Sequence, residues 1–165
     1  MIQIEVNTDL NFTQIRAIAK EVWPIAYGAI LSQQQLEYMM EMMYSVSALQ
    51  QQTNEKRHHF ILAVEVEQPV GFASYEFNFE GTSKTKIHKI YILSSQQGKG
   101  TGKVLMDYIA ETARKNNQEA LLLNVNKHNS AREFYKKIGF TEVQDVVIDI
   151  GQGYVMDDFI MEKPI

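Results

Sequence analysis

The chain contains no cysteine. Disulfide staples, thiolate metal sites and a cysteine nucleophile are therefore excluded together. The fold must rest on buried apolar surface, and 165 residues with 45% hydrophobic side chains are enough for one sizeable core without a staple. No run of eighteen apolar residues occurs, so no membrane-spanning helix is expected. Met1 to Leu10 carries acids and no long apolar stretch, and it does not read as a secretory signal. A basic excess is missing too. The net charge is -4 and the pI near 5.6, which argues against a general nucleic-acid binder. Mild acidity suits a cationic substrate, but it also serves solubility alone. The expectation is one cytoplasmic domain over residues 1–165 with no nucleic-acid or membrane partner; a homodimer is left open.

Periodicity gives the order of elements. Ile2, Ile4 and Val6 alternate with polar neighbours as a first strand. A helix is expected from Asp9, with Ile15, Ile18, Ala19 and Val22 on one face, ending near Trp23 because Pro24 follows. Ser32 is the expected N-cap of a second helix to about Tyr44, with Leu36, Met39, Met40 and Met43 on its apolar face. A polar stretch to Arg57 leaves room for a third short helix. Strands follow over Phe60–Val66, Val70–Phe79 and Lys86–Leu93, with turns at Glu67-Gln68-Pro69 and around Gly81. This meander implies a mostly antiparallel centre. A helix from Gly98 to about Asn116, a strand Ala120–Val125, a helix ended by Gly139, and strands Thr141–Ile150 and Tyr154–Glu162 complete the chain.

The most informative segment is Ser94-Ser95-Gln96-Gln97-Gly98-Lys99-Gly100-Thr101-Gly102-Lys103, between a strand and a long amphipathic helix. Alternating glycines at a helix start let backbone N–H groups approach an anion, and the helix dipole adds positive potential. Lys99 and Lys103 add charge. A Walker A loop would need glycine at Gln97 and a hydroxyl at Val104, and a dinucleotide fingerprint would need glycine at Lys103. Both fail. A phosphate cradle of another kind remains, beside the plainer reading of a tight strand-to-helix turn.

Gln97-Gly98-Lys99-Gly100-Thr101-Gly102 resembles the Gln/Arg-x-x-Gly-x-Gly/Ala loop of the GNAT acetyltransferases. His88–Leu93 precedes it at the spacing of that family. Asn129-Ser130-Ala131, then Phe134-Tyr135 and Ile138-Gly139-Phe140, resembles the family's second signature, and the order of elements matches over nearly the whole chain. The resemblance implies an α+β fold with a mixed, mostly antiparallel sheet of about seven strands flanked by helices. It implies acetyl-CoA as acetyl donor; with no cysteine for a covalent intermediate, direct attack by an amine in a ternary complex is expected, and no metal. Amides around Gln97, Gly98, Lys99, Gly100, Thr101, Gly102 and Lys103 would hold the pyrophosphate. The backbone of Ile90, Tyr91 and Ile92 would pair with the pantetheine arm.

Asn129 matches the asparagine that touches that arm, and it could equally be a helix N-cap. Tyr135 matches the tyrosine that protonates the leaving thiolate, with core packing as the alternative. His88, on the strand leading into the loop, titrates in the range a general base needs; the alternative is a structural histidine. The four histidines show no metal-ligand spacing. The family builds its acceptor pocket from the first helices, which points to Trp23 and Tyr27 as pocket or packing residues. Members with a similar tryptophan-and-tyrosine segment act on small amines. The expected acceptor is thus a small-molecule amine, polyamines included, or a peptide amine. A non-catalytic coenzyme A-binding module is the alternative on the same fold.

Overall fold

Val66 and Glu67, both left-handed at φ 49° and 63°, turn His59–Glu65 (β2) back onto Gln68–Glu76 (β3) in the computed structural model, which describes residues 1–165. The turn is two residues long and lies earlier than Glu67-Gln68-Pro69, because mirror-image turns match the twist of a hairpin. A second turn leads into Lys84–Ile92 (β4), two residues longer at its start than expected. The other strands are Ile2–Val6 (β1), Ala120–Asn126 (β5), Thr141–Gly151 (β6) and Tyr154–Pro164 (β7). They form one seven-stranded sheet in the order β1-β2-β3-β4-β5-β7-β6, parallel only between β4 and β5. The expected meander is its centre.

Thr13–Tyr27 (α1), Gln33–Tyr44 (α2) and Val46–Asn54 (α3) cover one face. Thr101–Lys115 (α4) and Ala131–Lys137 (α5) supply the apolar side chains of the other. Alternate residues of β2 serve the two layers: Phe60, Leu62 and Val64 join Ile15, Trp23 and Leu49, while Ile61 and Ala63 join Leu105, Ile109 and Ala113. Each fully buried Leu, Ile or Phe contributes roughly 1.5–3 kcal/mol. The helices are therefore held by tertiary burial rather than by their own propensity.

Two helix boundaries differ from expectation. Asp9 does not begin α1; its carboxylate accepts the N–H groups of Asn11 at 2.9 Å and Thr13 at 3.0 Å, so it organises the turn before the helix. Those bonds also hold its carboxyl below the usual range. Pro24 does not end α1 but sits in its last turn, where its missing N–H forfeits one bond. The Gly28 N–H then closes on the Pro24 carbonyl at 2.9 Å. Ser32 caps α2 as expected, its Oγ accepting from the Gln35 N–H at 3.1 Å.

Candidate active site

The site is organised by where β4 loses a partner. It pairs with β5 only from Lys84 opposite Ala120 to Ile87 opposite Leu123. Beyond that, β4 stays bound to β3 as far as Ile92, and β5 stays bound to β7 as far as Asn126. The two strands splay, and the β4 edge from His88 to Ile92 faces open space. Unpaired strand N–H and C=O groups are a ready template for an extended ligand.

A bulge accompanies the splay. Tyr75 faces Ile87 and Ser74 faces Lys89, so His88 is an extra residue on β4. An extra residue reverses which face each later side chain meets. Ile90 and Ile92 consequently pack on the α4 side, whereas Lys89 and Tyr91 meet the aromatic cluster under α1 and α2.

The glycine segment forms a short turn at Ser94–Gln96 and then α4, which starts at Thr101 rather than Gly98. Gly98 and Gly100 are left-handed, at φ 81° and 80°. The first intrahelical bond runs from the Val104 N–H to the Gly100 carbonyl. The N–H groups of Gly98, Gly100, Thr101, Gly102 and Lys103 have no partner in the protein. A Cβ on Gly98 or Gly100 would meet nothing within 4 Å and would project into that space. Free amides, a helix N-terminus and room from which side chains are missing suit a pyrophosphate.

A cavity of about 590 Å³ joins the loop to the splay. Ile90, Tyr91 and Ile92 line it, as do Gln97, Gly98, Gly100, Thr101, Gly102 and Lys103. Lys99 does not. The Thr101 side chain is fully buried and donates to Gln96 Oε1 at 3.0 Å, so that residue offers its backbone. Lys103 Nζ pairs with Asp107 at 2.6 Å on the exposed helix surface.

Tyr135 also lines this cavity. It is 8% exposed, and its hydroxyl bonds to no protein group. Burial pushes its pKa well above the ordinary value, so the phenol keeps its proton at neutral pH. Its ring packs on Phe134 and Phe140 as well. Asn129 Oδ1 accepts from the Ala131 N–H at 2.9 Å at the start of α5, where Ser130 holds the N-cap position, and Nδ2 reaches toward the Tyr27 hydroxyl at 3.4 Å. Tyr27 shares a 3.0 Å hydrogen bond with Tyr91. Trp23 is 2% exposed and bound to the Tyr44 hydroxyl at 3.1 Å, so packing dominates, with one edge on a second cavity.

That second cavity, of about 310 Å³, lies between the sheet and the first helices. Tyr27, Ile87, His88, Lys89, Tyr91 and Asn124 belong to both cavities, which therefore meet at the splay. His88 Nε2 lies 3.0 Å from Glu76 Oε1, and its ring stacks on His58 at 3.8 Å. Burial, with His58 and three lysines nearby, pulls His88 down to about 2. A neutral ring beside a carboxylate donates its Nε2–H, which leaves the lone pair on Nδ1.

Sequence spacing gave no sign of a further grouping: ligand atoms of His58, Glu76 and His88 lie within 4.8 Å of one another. Lys56, Lys86 and Lys89 all depress the His88 imidazolium. The same positive potential opposes a divalent ion there. Asp158 was also missed. It lines the second cavity at 2% exposure, accepts no hydrogen bond, and is pushed up to about 6, chiefly by burial. A carboxylate within the Tyr154–Glu162 strand pattern was the available signal, since a covered strand has little reason to carry one.

Residues 29–155 match the family model described as acetyltransferase (GNAT) domain. The [ribosomal protein bS18]-alanine N-acetyltransferase of Haemophilus influenzae is 33% identical over 88 residues, 53% of this chain and 58% of that protein. An uncharacterized N-acetyltransferase of Methanocaldococcus jannaschii is 33% identical over 84 residues, 48% of this chain and 37% of that protein. The chain spans about half the length of the curated relatives it matches. Among solved structures, the PaiA N-acetyltransferase of Thermoplasma acidophilum, in complex with coenzyme A, superposes with a TM-score of 0.82 at 23% identity. That match covers 100% of this chain and 99% of the other.

Proposed function

The chain belongs to the GNAT acetyltransferases, and from that premise we propose that it transfers an acetyl group from acetyl-coenzyme A to the amine of a small molecule or peptide. The observation that carries this is the set of unpartnered amides at Gly98 and Gly100 to Lys103, continuous with the unpaired edge of β4 and the free Tyr135 hydroxyl. When bound, acetyl-coenzyme A supplies the acetyl group as a thioester.

The protein's own groups then divide the work. The loop amides hold the pyrophosphate, with the α4 dipole adding attraction. The β4 edge at Ile90, Tyr91 and Ile92 orients the pantetheine arm, and an N–H there polarises the acetyl carbonyl. Asn129 Nδ2 lies on the same wall and steadies the arm. Tyr135 Oη donates its proton to the departing sulfur.

An ammonium must lose a proton before it can attack. His88, held neutral by burial, is a poor acceptor, so the base role falls to the Asp158 carboxylate. A base near 6 is mostly ionised at neutral pH and still retains some proton affinity. Trp23 and Tyr27 serve the acceptor side as wall and hydrogen-bonding group. A peptide acceptor draws support from the alanine N-acetyltransferase relative. A polyamine draws it from the aromatic first helix.

A thiol-release assay with acetyl-coenzyme A and a panel of polyamines, amino acids, aminoglycosides and peptide N-termini tests the proposal. Saturable release with at least one amine is expected. Tight coenzyme binding with no release across the panel would leave the non-catalytic coenzyme A-binding module instead.

A further inference from the structure

We propose that the acceptor carries an anionic group, carboxylate or phosphate, on the same small molecule as its amine, and that Lys89 with Lys56 binds that anion in the second cavity. The inference takes its site from the acetyltransferase reading, but a separate observation carries it: two buried cations, Lys86 and Lys89, without a counter-ion, and the exposed Lys56 lining the same cavity.

Lys89 is 8% exposed. Its Nζ donates to Gln52 Oε1 at 2.6 Å and lies 5.5 Å from the ring centroids of both Tyr44 and Phe60. All three partners are neutral. Gln52 is itself fixed, its Nε2 donating to the Met43 carbonyl at 3.1 Å, so the ammonium is positioned rather than stranded. Lys86 repeats the arrangement: its Nζ donates to Asn124 Oδ1 and lies 5.0 Å from the centre of the Phe79 ring. None of the protein's ion pairs includes Lys56, Lys86 or Lys89.

A buried ammonium that lacks an anion is costly, and natural interiors pair such charges. Lys86 at least feels Glu80, Asp158 and Glu76 at longer range. The one charged group that shifts Lys89 is Lys56, a like charge, and with burial it pulls the ammonium down to about 7. An anion entering beside them would supply the missing partner. The three lysines line the cavity with a single carboxylate, Asp158, while His58 and His88 are neutral there. The bulge at His88 turns Lys89 onto this face. A cavity of about 310 Å³ admits a short amine with one anionic group. A polyamine would bring a second ammonium against Lys56 and Lys89, so the charge runs against it.

The test uses the full chain with saturating acetyl-coenzyme A and four acceptors of similar length: 4-aminobutyrate, 3-aminopropyl phosphate, butylamine and 1,4-diaminobutane. At least one anionic amine should exceed butylamine and the diamine in kcat/KM by about tenfold or more, and the two anionic arms distinguish carboxylate from phosphate. Lys89→Met should shrink that preference about tenfold, mainly through KM, and Lys89→Arg should restore part of it. Lys56→Ala reads the same ratio if Lys89→Met does not fold.

Equal or better rates with the diamine, or a preference unchanged in the variants, would overturn the inference while leaving the acetyltransferase reading intact. If no amine is turned over, calorimetric binding of 4-aminobutyrate and 3-aminopropyl phosphate decides. Binding that weakens in Lys89→Met sustains the anion site, and no binding removes it.

Discussion

Ile87 and Leu123 are the last residues to face each other across β4 and β5; the next on each strand, His88 and Asn124, line both cavities. The fork can open there because each strand keeps its other neighbour, β3 for one and β7 for the other. Only one edge of each is exposed, and the exposed β4 edge is where the proposed acyl arm and amine would meet.

Acetyl-coenzyme A at a hundred times its Kd should stabilise the protein by about 2.7 kcal/mol, because it binds the folded chain alone. A thermal shift reads this, with ATP and NAD giving little. Gly100→Val should abolish the shift. Its φ of 80° strains a β-branched residue, and the new side chain would enter the space above the amides. Normal coenzyme binding by that variant would mean that the amides are not the cradle.

Tyr135→Phe should lower kcat by about 10² to 10⁴-fold, the usual range for a positioned acid. The ring still packs on Phe134 and Phe140, and the hydroxyl holds no protein partner, so stability should hold. Coenzyme affinity should change little, one hydrogen bond being worth about 1 kcal/mol. A kcat within about threefold of wild type, with binding measured separately, removes Tyr135 as the acid.

The identity of the base should appear in the pH profile. With Asp158 pushed up to about 6, kcat/KM should rise as the pH climbs through that region and the carboxylate forms. Asp158→Asn should abolish the limb and lower the plateau about 10²-fold or more. His88, pulled down to about 2, does not titrate there, so His88→Gln should keep a limb near 6. A limb lost in His88→Gln and kept in Asp158→Asn would reverse the assignment.

Lys89 makes stability depend on alkaline pH. Its folded-state value, about 7, lies below its ordinary value of 10.5. Between these limits the unfolded chain binds more protons, so stability should increase as the pH rises through that window. The slope from one such group is at most about 1.4 kcal/mol per pH unit. Denaturant titrations from neutral to alkaline pH should show this gain in wild type and a flatter dependence in Lys89→Met. The same slope in both would show that Lys89 is not held at a lowered value.

The elements were legible in the sequence because strand alternation, helical spacing and caps are local. Ser32, Gly139 and the run from Leu105 to Ala113 sit where their patterns place them. The glycine turn proposed as the cradle was legible for the same reason. A helix start with Gly98 and Gly100 in positive φ announces free amides whatever packs around it. Boundaries were less so: Asp9 was misread because its carboxylate organises the turn ahead of the helix, and Pro24 because α1 tolerates the one lost hydrogen bond and continues to Tyr27.

The sequence by itself determined the strand and helix order and the glycine turn at the start of α4, since each depends on residues within a few positions of one another. Tertiary structure alone decided the rest. Pairing between Ile87 and Leu123 sets where the sheet forks, and no local pattern records where two distant strands part. One extra residue at His88 reverses the faces of Lys89, Ile90 and Tyr91, which strict alternation assigns the other way. Burial then changes the chemistry of the groups so gathered, lowering Lys89 and raising Asp158, because the cost of a charge depends on what surrounds it in space.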